Sequence, residues 1–298
     1  MNLYAPKYYE KFHCIADKCT HSCCIGWEID VDGETVKKYQ ALSDGYGREI
    51  KSSIEVDDTP HFRLCEADRC PHLDEQGLCK IILSLGEDYL CEICREHPRF
   101  YHRTVYGMDV GLGMACEEAC RLILSSDDYA KMVEIDTLEG ELLTCDFDAV
   151  AHRERIFSVL SDTKMSFNEK LSVIGNAYQV SLSVHSDEEW RDILEKLEYL
   201  DDAHRTLFAC YSSTSASLQY EKELVRAMAY FVFRHCSDAL DQSEFCAGLG
   251  FALVCTRLLA SLVNSFPNEK IEALARIISE ELEYSEENTE AIQCEFFI

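Results

Sequence analysis

Eleven of the seventeen cysteines in this chain fall before residue 121, in three clusters. HCIADKCTHSCCIGW carries Cys14, Cys19, Cys23 and Cys24; CEADRCPHLDEQGLCKIILSLGEDYLCEIC carries Cys65, Cys70, Cys79, Cys91 and Cys94; and MACEEAC carries Cys116 and Cys120. Thiolates are soft ligands for zinc or for iron–sulfur clusters, and either group ordinarily takes four of them. Eleven candidates exceed one such site. The chain therefore holds two sites, or one site with spare thiols, and spacing leaves both open.

Only Cys91 and Cys94 have the C-x₂-C spacing of a zinc-ribbon knuckle, and no ferredoxin-type C-x₂-C-x₂-C run occurs. The ligands must then come from segments distant in sequence. His13, His21, His72, His97 and His102 lie near the clusters, but no pair has a supported H-x₃₋₅-H spacing. The other six cysteines, Cys145, Cys210, Cys236, Cys246, Cys255 and Cys294, sit in apolar helical stripes and are expected to pack as small hydrophobes. Walker, G-x-S-x-G, H-E-x-x-H and G-x-G-x-x-G motifs are missing.

Elements of two textures must hold these groups. From Asn2 to Phe12 the aromatics Tyr4, Tyr8, Tyr9 and Phe12 recur at a rough helical or lead-in spacing, with packing over the cysteine cage as their expected role. A short β-like segment around Ile29 and Val31 precedes a helix carrying Val36, Tyr39 and Leu42, which stops at Gly45/Gly47. Residues 48–64 read as a polar connector. A turn at Asp74–Gly77 leads to a helical patch from Lys80 to Leu85, Thr104–Tyr106 and Asp109–Val110 suggest a hairpin around Gly107, and Cys116 and Cys120 stand at i, i+4 on a helical face.

From about residue 148 helical periodicity takes over, in windows near 148–161, 168–183, 187–200, 203–213, 218–237, 242–264, 268–282 and 286–294. Ser166 with Glu169 and Ser186 with Glu189 have capping-box spacing. The acidic run Glu280–Glu290 reads as a solvated helix end. The fold expected is mainly α: a cysteine-rich metal-binding module with little β over residues 1–125, then an α-helical domain over 126–298.

At 298 residues the chain can bury one large core or two ordinary ones. A formal charge of −27 argues against a nucleic-acid partner, since phosphate binding needs a Lys/Arg footprint. Residues 1–25 have no apolar core of signal-peptide length, and the stretch Phe245–Val263 is broken by Arg257, so the expectation is a cytoplasmic protein outside the membrane with thiols in a reducing compartment.

The segments FHCIADKCTHSCCIGWEIDVD, CPHLDEQGLCKIILSLGEDYLCEICREHPRFYHR and YEKELVRAMAYFVFRH together resemble the flagellin lysine N-methylases (the FliB family). The middle segment also resembles a wider group of zinc- or iron-chelating cysteine proteins. The elements C-x₄-C-x₃-C-C-x-G-W and C-P-x-L-D-x-x-G-x-C carry most of this likeness. It implies an iron–sulfur (4Fe-4S), S-adenosylmethionine-dependent protein-lysine N-methyltransferase acting on flagellin or another lysine-rich protein. Transferred to this chain, the family's metal-binding pattern falls on Cys14, Cys19, Cys23, Cys24, Cys70, Cys79, Cys94 and Cys116, leaving Cys65, Cys91 and Cys120 as additions. Trp27, Arg99 and Tyr101 are candidate pocket residues, with packing as their plainer role. The alternative is a non-enzymatic protein in which zinc only holds the N-terminal module together.

Overall fold

A computed structural model describes residues 1–56 and 59–297. The chain divides into two compact units, one of residues His13–Arg99 and one formed by Met1–Phe12 with Phe100–Ile298. The expected boundary at residue 125 falls inside the second of these. Helix takes up 53% of the chain and strand 12%, so the protein is mainly α.

Strand β1 (Asn2–Pro6) opens the chain, and the His13–Arg99 unit follows with α1 (Gly33–Ala41), α2 (Gly45–Ser52), β2 (Ile54–Val56), β3 (Pro60–Phe62), α3 (Lys80–Leu85) and α4 (Glu92–Glu96). Then come β4 (Arg99–Thr104), β5 (Gly107–Leu112), α5 (Glu117–Ser125), β6 (Met132–Thr137), α6 (Ala149–Leu160), α7 (Phe167–Tyr178), α8 (Asp187–Glu195), α9 (Asp202–Phe208), α10 (Glu221–Cys236), α11 (Gln242–Ser265), α12 (Ile271–Ile278), a π-helical turn (Ser279–Glu283) and α13 (Glu286–Gln293).

In the larger unit four strands form a sheet in the order β4-β5-β1-β6, with β1 parallel to β5 and antiparallel to β6. The first residues are thus a strand rather than a helical lead-in. Tyr8 is buried in the helical core, with Tyr9 and Phe12 packed against it. Gly107 sits at φ +155, and a side chain there would collide with the Asn2 carbonyl, so glycine is what lets β5 approach β1.

Helices α10 and α11 form the centre of the helical layer, with Leu224–Phe233 of the first and Phe245–Val263 of the second buried without a break. The apolar window of α11 has the length and composition of a membrane span, yet it is entirely enclosed by protein, as the sequence leads one to expect of a core helix. Both capping boxes form: Ser166 and Ser186 each accept from a backbone N–H three residues on, while Glu169 and Glu189 reach back. Arg153 of α6 is buried against Asp109 of β5 and donates to the Ser237 hydroxyl at 2.8 Å, tying sheet to helices.

The acidic run is a solvated end only in its second half, where Glu286, Glu287 and Glu290 of α13 are exposed. Glu280, Glu281 and Glu283 are buried, each with cationic or N–H partners. Glu281 accepts from the backbone of Leu200 (2.8 Å) and Asp201 (3.2 Å) and pairs with His204. Glu283 accepts from the Tyr230 hydroxyl at 2.9 Å and pairs with Arg234 and His235. The π turn packs these carboxylates inward, where each is matched by a donor.

Candidate metal centre

The His13–Arg99 unit has its own small core, in which Cys70 and Cys91 are buried among Ile29, Val31, Tyr39, Ile50, Phe62, Leu73 and Ile81. Cys24, Cys79 and Cys94 pack against the same core. Backbone pairing explains how residues so far apart in sequence meet. Gly26 N–H donates to the Asp68 carbonyl and Cys70 N–H to the Cys24 carbonyl, both at 2.9 Å, which zips the first cluster onto the second. Ser22 supports this by accepting from Cys24 N–H through its hydroxyl.

The Asp74–Gly77 turn then folds the chain back. Asp74 accepts from the N–H groups of Gln76 and Leu78, Gly77 takes a positive φ, and Leu73 bridges to Cys79 while Lys80 N–H donates to the His72 carbonyl. Cys79 comes to rest immediately before α3, where the backbone N–H groups of Ile81 and Ile82 favour its thiolate.

The pair at the start of α4 is placed by α1. Asp32 accepts from Thr35 N–H with one oxygen and from Glu92 N–H with the other, both at 2.9 Å, and the Tyr39 hydroxyl donates to the Tyr89 carbonyl at 2.6 Å. Although burial opposes its charge, those N–H bonds hold the Asp32 carboxyl down at about 2. The segment 89–92 is thereby pinned, and the sulfurs of Cys91 and Cys94 stand 3.3 Å apart.

The thiols do not share one environment. Burial pushes Cys70 up to about 12 and raises Cys79 as well. A hydrogen bond from Cys23 brings Cys24 down to about 7. Cys91 is lowered by its hydrogen bond with Cys94, and Cys94 is raised by the same bond and by burial.

Five thiols with backbone N–H groups at several sulfurs are the right chemistry for zinc or an iron–sulfur cluster, because those donors favour the thiolate. The geometry is not closed. Among the described residues no three His, Cys, Asp or Glu side chains stand ready to hold a metal ion. Two sulfurs on one tetrahedral zinc lie about 3.8 Å apart, given bonds of ~2.3 Å. The Cys91 and Cys94 sulfurs must separate by roughly half an ångström to bind together.

Of the eight cysteines marked by family resemblance, the structure gathers Cys24, Cys70, Cys79 and Cys94 on this core, beside Cys91. Cys14 and Cys23 are exposed, and Cys19 is half-buried with its sulfur 2.9 Å from the His21 carbonyl. Cys116 belongs to the other unit, at the start of α5. Of these five Cys91 is the one that the resemblance left out, and its C-x₂-C spacing is the signal that marks it. His72 is buried with Nδ1 at 3.2 Å from the Tyr46 hydroxyl and Nε2 at 2.9 Å from Ser53, so both ring nitrogens are taken. His102 and Tyr101 also lie in the other unit, and Arg99 donates to the Arg95 carbonyl. Cys236, Cys246 and Cys255 are buried in the helical core, as expected of packing cysteines, and Cys210 packs against it, whereas Cys145 is half-buried and Cys294 is exposed.

The chain is 33% identical over 136 residues to the flagellar biosynthetic protein FliU of Salmonella muenchen, an alignment covering 43% of this chain and 80% of FliU. It is 32% identical over 136 residues to lysine-N-methylases of Salmonella typhimurium and Salmonella choleraesuis, covering 43% of this chain and 34% of each enzyme. The chain thus spans about a third of the length of those lysine-N-methylases. No family model matches the sequence, and no solved structure matches the fold.

Proposed function

The chain belongs to the family of FliU and the lysine-N-methylases, and from that premise we propose that it is a cytoplasmic protein-lysine N-methyltransferase that uses S-adenosylmethionine and an iron–sulfur cluster, with flagellin as substrate. The observation that carries the reading is the 32% identity over 136 residues to two lysine-N-methylases, with the likeness to a flagellar biosynthetic protein behind the choice of substrate. The gathering of five thiols on one small core supports it by supplying a ligand set of the right chemistry.

In this reading the cluster would be held by three or four of the thiols Cys24, Cys70, Cys79, Cys91 and Cys94. Such a cluster, held with one coordination position left open, would supply an attachment point for the amino-acid end of S-adenosylmethionine. The protein's own work is positional. Asp32 and Tyr39 fix the Cys91/Cys94 segment, and the Cys24–Cys70 backbone bond fixes the two clusters against each other. A substrate lysine must lose its ε-proton before it can accept a methyl group, and a chain of net charge −27 attracts the cationic side chain that arrives.

A second reading has a specific observation in its favour: the C-x₂-C pair at a helix start, its two sulfurs 3.3 Å apart, is also the local form of a zinc knuckle. Anaerobic purification followed by iron, acid-labile sulfide and zinc analysis separates the two. The methyltransferase reading expects iron and sulfide, and transfer of labelled methyl from S-adenosylmethionine to flagellin lysines. Stoichiometric zinc alone, with no cluster on reconstitution and no transfer, overturns it.

A further inference from the structure

In the helical unit, α6 and α7 leave between them a cleft of about 240 Å³ that includes Gln242 at the start of α11. Its polar lining is His152, Arg155, Tyr178 and Gln242, and the remainder is apolar, Ile156, Val173 and Ile174 among it. This cleft lies outside the thiol site and takes no part in the reading above.

His152 is held in a fixed pose. Its ring stacks on Phe147 at 4.8 Å with planes 9° apart, and packs on Phe245 at 5.4 Å and Tyr178 at 5.7 Å. The Tyr178 hydroxyl donates to the His152 carbonyl and lies 3.2 Å from Nδ1. With its one proton spent on the carbonyl, the hydroxyl must accept from Nδ1–H, which leaves Nε2 as the unprotonated nitrogen. Burial, then the charge of Arg155, lowers the His152 pKa and disfavours the protonated ring.

Arg155 follows His152 by three residues on the same face of α6. Its guanidinium enters no ion pair among the described residues, in a chain with 55 acidic and 28 basic residues. The nearby carboxylate of Asp148 is already engaged by Ala151 N–H and the Tyr106 hydroxyl. The cleft therefore offers one unspent cation, an amide donor and an apolar wall in a pre-formed concavity.

We propose that this cleft binds a small monocarboxylate with an apolar body, the carboxylate on Arg155 and Gln242 and the body against Ile156, Val173 and Ile174. A guanidinium matches a carboxylate through two parallel N–H bonds. One cation balances one negative charge. A doubly charged phosphate ester would need a second cation, and the protonated form of His152 is disfavoured.

The test uses the full-length protein with 3-phenylpropionate, hexanoate and their neutral amides, titrated calorimetrically at pH 7. The acids are expected to bind saturably and the amides at least roughly tenfold more weakly, the size of one charge-assisted pair. Arg155→Gln, at an exposed position, should weaken acid binding by about as much while leaving the melting temperature unchanged. Val173→Trp should block the acids by filling the cleft. Equal binding of acid and amide, undiminished acid binding by Arg155→Gln, tighter binding of inorganic phosphate, or no binding at millimolar acid would each overturn the proposal.

Discussion

Cys91→Ser separates the ligand set implied by family resemblance, which contains Cys14 and Cys116 but not Cys91, from the set gathered on the small core, which contains Cys91 and neither of the others. Apparent metal-binding free energies of structural zinc sites run to ~10–16 kcal/mol, and that energy is largely folding energy. Shared among four thiolates, one ligand accounts for roughly 3 kcal/mol, or about a hundredfold in affinity. A serine at position 91 keeps the volume but supplies a hydroxyl that does not ionise near neutrality. The assay is metal and sulfide per chain after anaerobic purification, chelator competition, and limited proteolysis of the His13–Arg99 unit. Cys91→Ser is expected to lose metal to chelator about a hundredfold more readily and to expose that unit to protease, with Cys14→Ser and Cys65→Ser close to wild type. Full metal retention by Cys91→Ser together with loss by Cys14→Ser or Cys116→Ser would refute the reasoning.

Three further outcomes follow from the larger unit. Arg153→Met strands the buried Asp109 carboxylate and should cost about 3–5 kcal/mol, or roughly 10 °C in Tm, with Arg153→Met/Asp109→Leu recovering much of the loss; equal melting of the two variants would contradict a buried ion pair. Gly248→Ala pushes a methyl into the His235 carbonyl where α11 meets α10, and urea unfolding should show a loss of about 1–3 kcal/mol. His235, buried beside Glu283, Arg234 and His102, has its pKa lowered by burial, so the unfolded chain takes up a proton that the folded chain refuses. Its stability contribution is full above the unfolded value of about 6.5 and falls as pH drops below it, by up to ~1.4 kcal/mol per pH unit. Glu283, whose pKa is also lowered in the fold, adds its own loss only as the pH nears the carboxylate range, so an unchanged slope between pH 6.5 and 5 in His235→Gln would remove the histidine from the account.

The helical half was legible because its signals are local. The windows from 148 onward rest on a 3.6-residue repeat and on caps within four residues of a helix start, and they recur as α6 to α13. The window 168–183 overshoots, since Gln179 takes a left-handed conformation and stops α7 at Tyr178. What misled were groups whose partners lie far away. Strand β1 exists only because β5 and β6 pair with it from more than a hundred residues on. The acidic run Glu280–Glu283 counts as surface by composition, yet its partners His235 and His204 stand 48 and 77 residues upstream. A charge read without its partner is read as exposed.

The same division holds for the thiols, and Asp32 puts it to a test. Clustering marks the cysteines, but which of them meet is decided by backbone pairings that spacing does not encode, such as Cys24 to Cys70 and the return of Leu73 onto Cys79. Asp32 belongs to no metal motif, yet it caps α1 through Thr35 and holds the first N–H of α4 through Glu92. Asp32→Ala removes both bonds and no thiol. Each cap contributes ~1 kcal/mol, so the His13–Arg99 unit should lose about 2 kcal/mol and metal affinity should fall roughly tenfold or more. Metal content at saturation should stay that of wild type, whereas Cys91→Ser should not reach it. If Asp32→Ala binds metal as tightly as wild type, the position of Cys91 and Cys94 does not depend on α1, and the pairing account of the site fails at that step.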